Sequence, residues 1–408
     1  MGSMITPWIA ALALAAVPPA RADDGLTLVE SFPLETELDN ADIPETLAVW
    51  MEMIASARES LDLAHFYASS APGSPLNDVL AALEAAAQRG VRVRFLVSER
   101  FYATYPEIPD RLAAHPAIEL RRVDYRALAG GVMHAKYMIA DGARTFLGSP
   151  NFDYRSLEHV QELGVLVESA AVARELGAVF EMDWRMAQSG ERTAPAAAGA
   201  SGPFPVELAF AKAQAGGADA KTKVTPVFSP RELLPDPALW DLPRLVEWID
   251  AAQETVAVQL LTYRTVGYDG RYFAALESAL RDAAARGVEV RLLVSDWCKA
   301  EGTVEGLQSL QCLPGIEVRF VTIPEWSGGF QPFARVVHAK YMVVDSARAW
   351  IGTSNWEESY FTKGRNVGLL LEGAALAGRL ARFFERTWTS AYAYDVDPCA
   401  EYVPPKRQ

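Results

Sequence analysis

The residues best suited to chemistry occur in two sets of the same kind. Residues 132–151 read VMHAKYMIADGARTFLGSPN, and residues 336–355 read VVHAKYMVVDSARAWIGTSN. Aligned on His134 and His338 the offset is 204 (338 − 134), and it places Lys136 on Lys340, Asp141 on Asp345, Ser149 on Thr353 and Asn151 on Asn355. Each set offers an imidazole, an ammonium, a hydroxyl and a carboxamide. A phosphate diester is the substrate that suits a doubled set of this kind. Lysines neutralise the oxyanion, and hydroxyl and carboxamide groups donate hydrogen bonds to it. One histidine attacks phosphorus while the other protonates the leaving oxygen.

The elements that must hold these groups can be read from the same stretches. VMHAKYMIAD alternates in a β-branched and aromatic context, which predicts a strand. Side chains two apart on a strand share a face, so His134 and Lys136 should point together, as should His338 and Lys340. Asp141 lies an odd number of places past Lys136, beside Gly142. It is expected at the strand end with a supporting role, as is Asp345. Gly148 is expected to turn the chain and leave Ser149 and Asn151 on one side.

The surrounding sequence is also duplicated. ETLAVWMEMIASARES has helical spacing, LDLAHFYAS reads as a buried strand, PLNDVLAALEAAAQRG as an amphipathic helix closed by Gly90, and VRVRFLVS as the next strand. AAQETVAVQLLTYR, RYFAALESALRDAAARG and VEVRLLVSDW repeat that order, with Gly90 falling on Gly287 at an offset of 197 (287 − 90). About seven residues are therefore inserted before the second motif. Alternating strands and helices predict an α/β fold, with a mostly parallel or mixed sheet covered on both faces.

With 408 residues and half of them hydrophobic, the chain is long enough for two ordinary domains. Four segments are expected: 1–25, 26–189 as a first half, 190–222 as an Ala-, Gly- and Pro-rich linker, and 223–408 as a second half. The net charge of −14 counts against a broad nucleic-acid-coating surface and against tight binding to anionic membranes, yet leaves room for a local basic cleft. Trp8 to Val17 is an apolar run of ten followed by Ala20-Arg21-Ala22, which reads as an export signal and a periplasmic or secreted protein. No stable membrane insertion is expected, and a homodimer is left open. The three cysteines, Cys298, Cys312 and Cys399, have no metal-ligand spacing. In an exported chain the first two could pair. Neither a metal nor a cofactor is called for.

H-x-K-x4-D followed by G-[ST]-x-N, present twice, resembles the phospholipase D superfamily. The phrases GSPNFDYRSLEHVQELGV and IGTSNWEESYFT are similar to the animal lysosomal phospholipase-D-like 5′-exonucleases and their poxvirus relatives. The resemblance runs from about Leu28 to about Asp395. It implies two similar α-β-α sandwich domains about a pseudo-twofold axis, with one shared active site. It implies cleavage through a phosphohistidine, resolved by water or another alcohol. Single-stranded DNA or RNA cut from its 5′ end is the leading substrate. A phospholipid, giving phospholipase D or transphosphatidylase activity, is the alternative, and a non-catalytic binding protein is the third reading.

Glu162 lies 28 residues after His134 (162 − 134), where the superfamily often has a carboxylate bonded to the histidine, whereas Asn366 holds that place after His338 (366 − 338). Glu162 is therefore expected on His134, which would make His134 the nucleophile and His338 the acid. Tyr67, Tyr263, Phe333 and Trp356 are expected to stack on substrate bases. Of the other histidines, His65 is expected to be a hydrogen-bonded core residue, His115 a loop residue and His159 structural.

Overall fold

The computed structural model describes residues 25–190, 204–267 and 269–408. The export-signal reading and the centre of the linker lie outside the described residues.

Each half builds the same sheet. Three adjacent parallel strands, Ser60–His65, Arg92–Ser98 and Ile118–Val123, lie in the first half, the central one the most apolar (RVRFLVS). In the second half these are Thr255–Leu260, Glu289–Ser295 and Ile316–Val321. The parallel crossovers use helices whose apolar stripes are short and alanine-rich, Leu76–Gln88 and Ala275–Ala285. Both end at a glycine with left-handed φ, Gly90 at 92° and Gly287 at 93°, where a side chain would be strained. Antiparallel strands follow: Lys136–Ala140, Arg144–Gly148 and Glu162–Glu168, matched by Tyr341–Val344, Arg348–Gly352 and Asn366–Glu372. The sheet is mixed, and the fold class read from the sequence stands.

The region 190–222 is more than a linker. Val206–Phe210 is a strand lying parallel to Gly25–Ser31 and antiparallel to Ala220–Ser229, which in turn pairs with Asn366–Glu372. It joins the two half-sheets into one of sixteen strands among the described residues. Its period-2 burial, with Leu208 and Phe210 inward and Glu207 and Ala209 outward, is a short strand signal inside an otherwise breaker-rich stretch.

Two long helices, Ala170–Ser189 and Ala374–Trp388, bury Phe180, Trp184, Phe383 and Trp388 in a core shared by both halves. The helices Thr46–Ser56 and Leu76–Gln88, and their counterparts Asp241–Asp250 and Ala275–Ala285, close a separate core on the outer side of each half. This inner core clamps the halves face to face, so the two motifs meet on one side. No helix among the described residues is long and apolar enough to cross a membrane.

Candidate active site

The motif strands begin at Lys136 and Tyr341, so both histidines lie ahead of regular strand, where the chain crosses to the other half. There Met133 bridges Arg365 and Val337 bridges Gln161. The His134 N–H donates to the Arg365 carbonyl at 2.9 Å, and the His338 N–H to the Gln161 carbonyl at 2.8 Å. Each histidine is therefore tied to the residue just before position 162 or 366 of the opposite half. This crossover overturns the expected pairing. Glu162 Oε2 lies 2.8 Å from His338 Nδ1, and Asn366 Oδ1 lies 3.1 Å from His134 Nδ1.

The two partners set the two imidazoles differently. Asn366 Nδ2 donates to the Tyr360 and Gly364 carbonyls, and its Oδ1 accepts from Thr353 Oγ1. The amide is thereby oriented with oxygen toward His134, which puts the proton on Nδ1 and leaves the Nε2 lone pair free. Phe66 and Tyr360 hold that ring edge-on, with centroids 4.7 and 4.9 Å away. Burial, and then the charges of Lys136, Lys340 and His338, hold His134 well below the usual histidine range. His338 is also pushed down by burial, to about 4, but Glu162 opposes the shift. Burial alone would raise the Glu162 carboxyl; the charges of His338 and Lys340 and the bond to His338 outweigh it and hold it low. Of the two, the histidine with the carboxylate is the better proton carrier.

Lys136 Nζ and Lys340 Nζ each donate to the carbonyl of their own motif histidine at 2.5 Å. Both are fully buried. Desolvation pushes Lys136 far down and Lys340 to about 7. An anion bound between them would restore both charges, because an opposite charge favours the protonated form.

Asn151 and Asn355 line the same cavity as His134, His338 and Glu162, which has a volume of about 230 Å³. The Asn355 side chain is fixed by Thr262 N–H on its oxygen and by the Tyr360 hydroxyl on its nitrogen. The hydroxyls do not join them. Ser149 Oγ bonds the backbone of Leu163 in both directions, and Thr353 Oγ1 links Asn366 to the Val367 N–H. They fix the strands carrying Glu162 and Asn366 and are not oxyanion donors, contrary to the sequence reading. Gly148 is not a turn either: a Cβ there would come 2.4 Å from Gly164 Cα, so the glycine permits two backbones to approach. Asp141 accepts from the N–H groups of Arg58, Glu59 and Ser60, and Asp345 from those of Gln253, Glu254 and Thr255. Both anchor the entry to the first strand of their half. Among the described residues no group of three or more His, Cys, Asp or Glu is placed to hold a metal ion.

The family described as "Cardiolipin synthase, PLD-like domain" matches the chain twice, over residues 50–184 and 245–388. The chain belongs to this phospholipase-D-like family. Each match contains one motif. The 5'-3' exonuclease PLD3 of Bos taurus is 32% identical over 408 residues, covering 92% of this chain and 81% of that protein. Phospholipase D Z of Dictyostelium discoideum is 29% identical over 394 residues, covering 91% and 90%. Among solved structures, the phosphatidylserine synthase of Haemophilus influenzae Rd KW20 overlays with a TM-score of 0.58 at 10% identity, over 86% of this chain and 85% of that one. That likeness supports the fold alone.

Within this phospholipase-D-like frame the predicted stacking residues divide. Tyr67 and Phe333 line the cavity. Tyr263 and Trp356 do not: each is 1% exposed in the outer core of the second half. The cause is register. Tyr263 bridges Trp356 where the first half pairs Ala68 with Phe152, so Tyr263 occupies the buried place of Ala68. The aromatic and basic cavity residues missed from sequence are Phe66, Phe101, Tyr105, Arg155, Trp297 and Tyr360. Phe66 adjoins Tyr67, and Trp297 follows a strand end, which were the available signals. Arg155 is held by a buried ion pair with Asp153.

His65 is a core residue but not a hydrogen-bonded one. Trp50, Phe95 and Phe152 surround it, neither ring nitrogen has a partner, and burial drives it to about 3. His159 is buried at a helix end with its ring centroid 4.9 Å from that of Trp326, and His115 Nδ1 accepts from the Ala117 N–H in a loop. The three cysteines are all free, Cys298 buried and the other two exposed, so the suggested pair is not formed.

Proposed function

We propose that the protein is a phosphodiesterase that cleaves single-stranded nucleic acid from its 5′ end, through a phosphohistidine on His134. The observation that carries the mechanism is the unlike pair of Nδ1 partners, a neutral amide on His134 and a carboxylate on His338. His134 Nε2 attacks phosphorus, and the P–O bond to the leaving strand breaks. The leaving oxygen takes the Nε2 proton of His338. Glu162 stabilises the imidazolium before transfer, as in a base–orienter pair. Water then attacks the phosphoryl group, its proton passes to His338, and the P–N bond breaks to regenerate neutral His134. Lys136, Lys340 and the carboxamides of Asn151 and Asn355 receive the charge of the pentacoordinate oxygens. These groups supply what a divalent ion would otherwise supply, so turnover is expected to persist in EDTA.

The substrate reading is supported by the aromatic lining of the cavity, where Phe66, Tyr67, Phe101 and Tyr105 form a stacked and edge-on series with centroid spacings of 4.1 to 6.1 Å. Bases stack on such surfaces irrespective of sequence. The likeness to the animal exonucleases points the same way. The test is parallel incubation with linear 5′-hydroxyl and 5′-phosphoryl single-stranded DNA, circular single-stranded DNA and phosphatidylcholine. Linear DNA should be shortened while circular DNA persists. Equal cleavage of the circle would indicate an endonuclease, and choline release without DNA cleavage would indicate a phospholipase.

A further inference from the structure

The reaction cavity opens into a larger groove of about 730 Å³, and the two share Phe66, Phe101, Leu261, Trp297, Asn355 and Tyr360 as common wall. At about 230 Å³ the inner cavity is smaller than the roughly 300–1,000 Å³ that holds a drug-sized ligand. A polymer held there by its end must leave through the groove. Four cations from both halves line it: Arg100, Arg264, Lys363 and Arg407. Three carboxylates do so as well, but Asp269 is paired with Arg271, and Glu357 accepts the Thr262 hydroxyl and is pushed up by burial.

Arg407 reaches this wall from the C-terminal tail, far in sequence from either motif. Its carbonyl accepts from the Phe333 N–H at 2.9 Å, and its guanidinium donates to the Trp297 carbonyl at 2.8 Å while lying 4.8 Å over the Trp297 ring. Lys406 Nζ sits 4.6 Å from the Phe330 ring centre. Phe333, which lines the reaction cavity, has a left-handed φ of 56°. For a bulky residue that conformation persists only where its surroundings hold it. The tail therefore touches the aromatic walls of both spaces. A guanidinium has five N–H donors in a planar fork, and the Trp297 carbonyl occupies only part of them.

We propose that Arg407, held against the Trp297 wall by the C-terminal tail, is a substrate-binding residue for the phosphate backbone of the chain beyond the scissile diester. This rests on the single-strand reading of the site. It assigns the groove a polyanionic ligand that a small diester does not reach.

The test compares the wild-type chain with Arg407→Ala and Arg407→Lys on two substrates. One is a single-stranded oligothymidylate; the other is thymidine 3′-(4-nitrophenyl phosphate), which carries no phosphate beyond the scissile diester. Arg407→Ala should raise KM for the oligonucleotide roughly tenfold at low salt, as for loss of one phosphate contact. The logarithmic salt dependence of binding should become shallower by about 0.7. The kcat and both constants for the small diester should stay at wild-type values. Arg407→Lys should recover part of the KM, because it keeps the charge but not the fork. An oligonucleotide KM unchanged in Arg407→Ala would overturn the proposal. An equal loss on both substrates would also overturn it, assigning the tail a purely structural role. Wild-type enzyme that turns over the small diester but leaves the oligonucleotide intact would overturn the single-strand reading itself, and the proposal with it.

Discussion

Replacing Glu162 by Gln isolates what the carboxylate does for His338. Ser156 Oγ accepts the Asn151 N–H, so its own proton is directed to Glu162 Oε1, while Oε2 faces His338 Nδ1 at 2.8 Å. In Glu162→Gln the introduced amide keeps its oxygen on Ser156 and turns its NH2 toward His338 Nδ1. That favours the tautomer protonated on Nε2 and removes the acceptor that imidazolium needs. The lost charge has a magnitude. Two unit charges about 4 Å apart at an effective dielectric of about 20 interact by about 4 kcal/mol, or about 3 units of pKa at 1.36 kcal/mol each. The protonated fraction of His338 should fall about a thousandfold, and kcat on an oligonucleotide with it. Thymidine 3′-(4-nitrophenyl phosphate) separates the steps, because its leaving group departs without a proton. In stopped flow, Glu162→Gln should give a 4-nitrophenolate burst at near the wild-type rate, then slow turnover as hydrolysis waits for a base. A burst slowed about a thousandfold as well would refute this reasoning, because the carboxylate would then be serving attack and not proton transfer.

Other perturbations follow from the same geometry. Because kcat/KM reports free-enzyme groups, and His338 near 4 and Lys340 near 7 must both be protonated, log kcat/KM should decline as pH rises above about 4 and decline more steeply above about 7. A profile still rising between 5 and 8 would contradict this assignment. Asp345→Ala removes the acceptor of three backbone N–H groups; it should cost about 1.5–3 kcal/mol in denaturant unfolding with kcat per folded molecule unchanged. Arg365→Gln leaves Asp183 buried without its partner and should cost about 3–5 kcal/mol. Adding Asp183→Thr should recover most of that, because Gln161 and Thr387 already form such a neutral pair at the symmetric positions. Failure of the double variant to recover stability would show that this buried pair needs its charges.

The repeated strand–helix order disclosed the fold class, and the doubled motif disclosed the shared site and six of its polar groups, because two gap-free copies carry both residue type and spacing. What it could not disclose was which half each partner serves. Glu162 and Asn366 were both visible at 28 places past their histidines, but the crossover bridges at Met133 and Val337 exchange them between halves. No local pattern reports an exchange of that kind. The reading of Tyr263 failed for a related reason: a shift of register in one half moved it from the cavity wall into the core. Ser149 and Thr353 looked like oxyanion donors because motif proximity does not say which way a short side chain turns. The strand Val206–Phe210 was hidden because five alternating residues weigh little beside a long run of Ala, Gly and Pro.

The central claim is that His134 attacks and His338 protonates, and trapping of the covalent intermediate tests it most directly. His338→Asn enzyme, incubated with thymidine 3′-(4-nitrophenyl phosphate), quenched in alkali and digested, should yield the nucleotidyl mass on the peptide containing His134. The parallel His134→Asn reaction should carry no label on any peptide. A label on the His338 peptide, persisting in His134→Asn, would contradict the assignment and reverse the two roles.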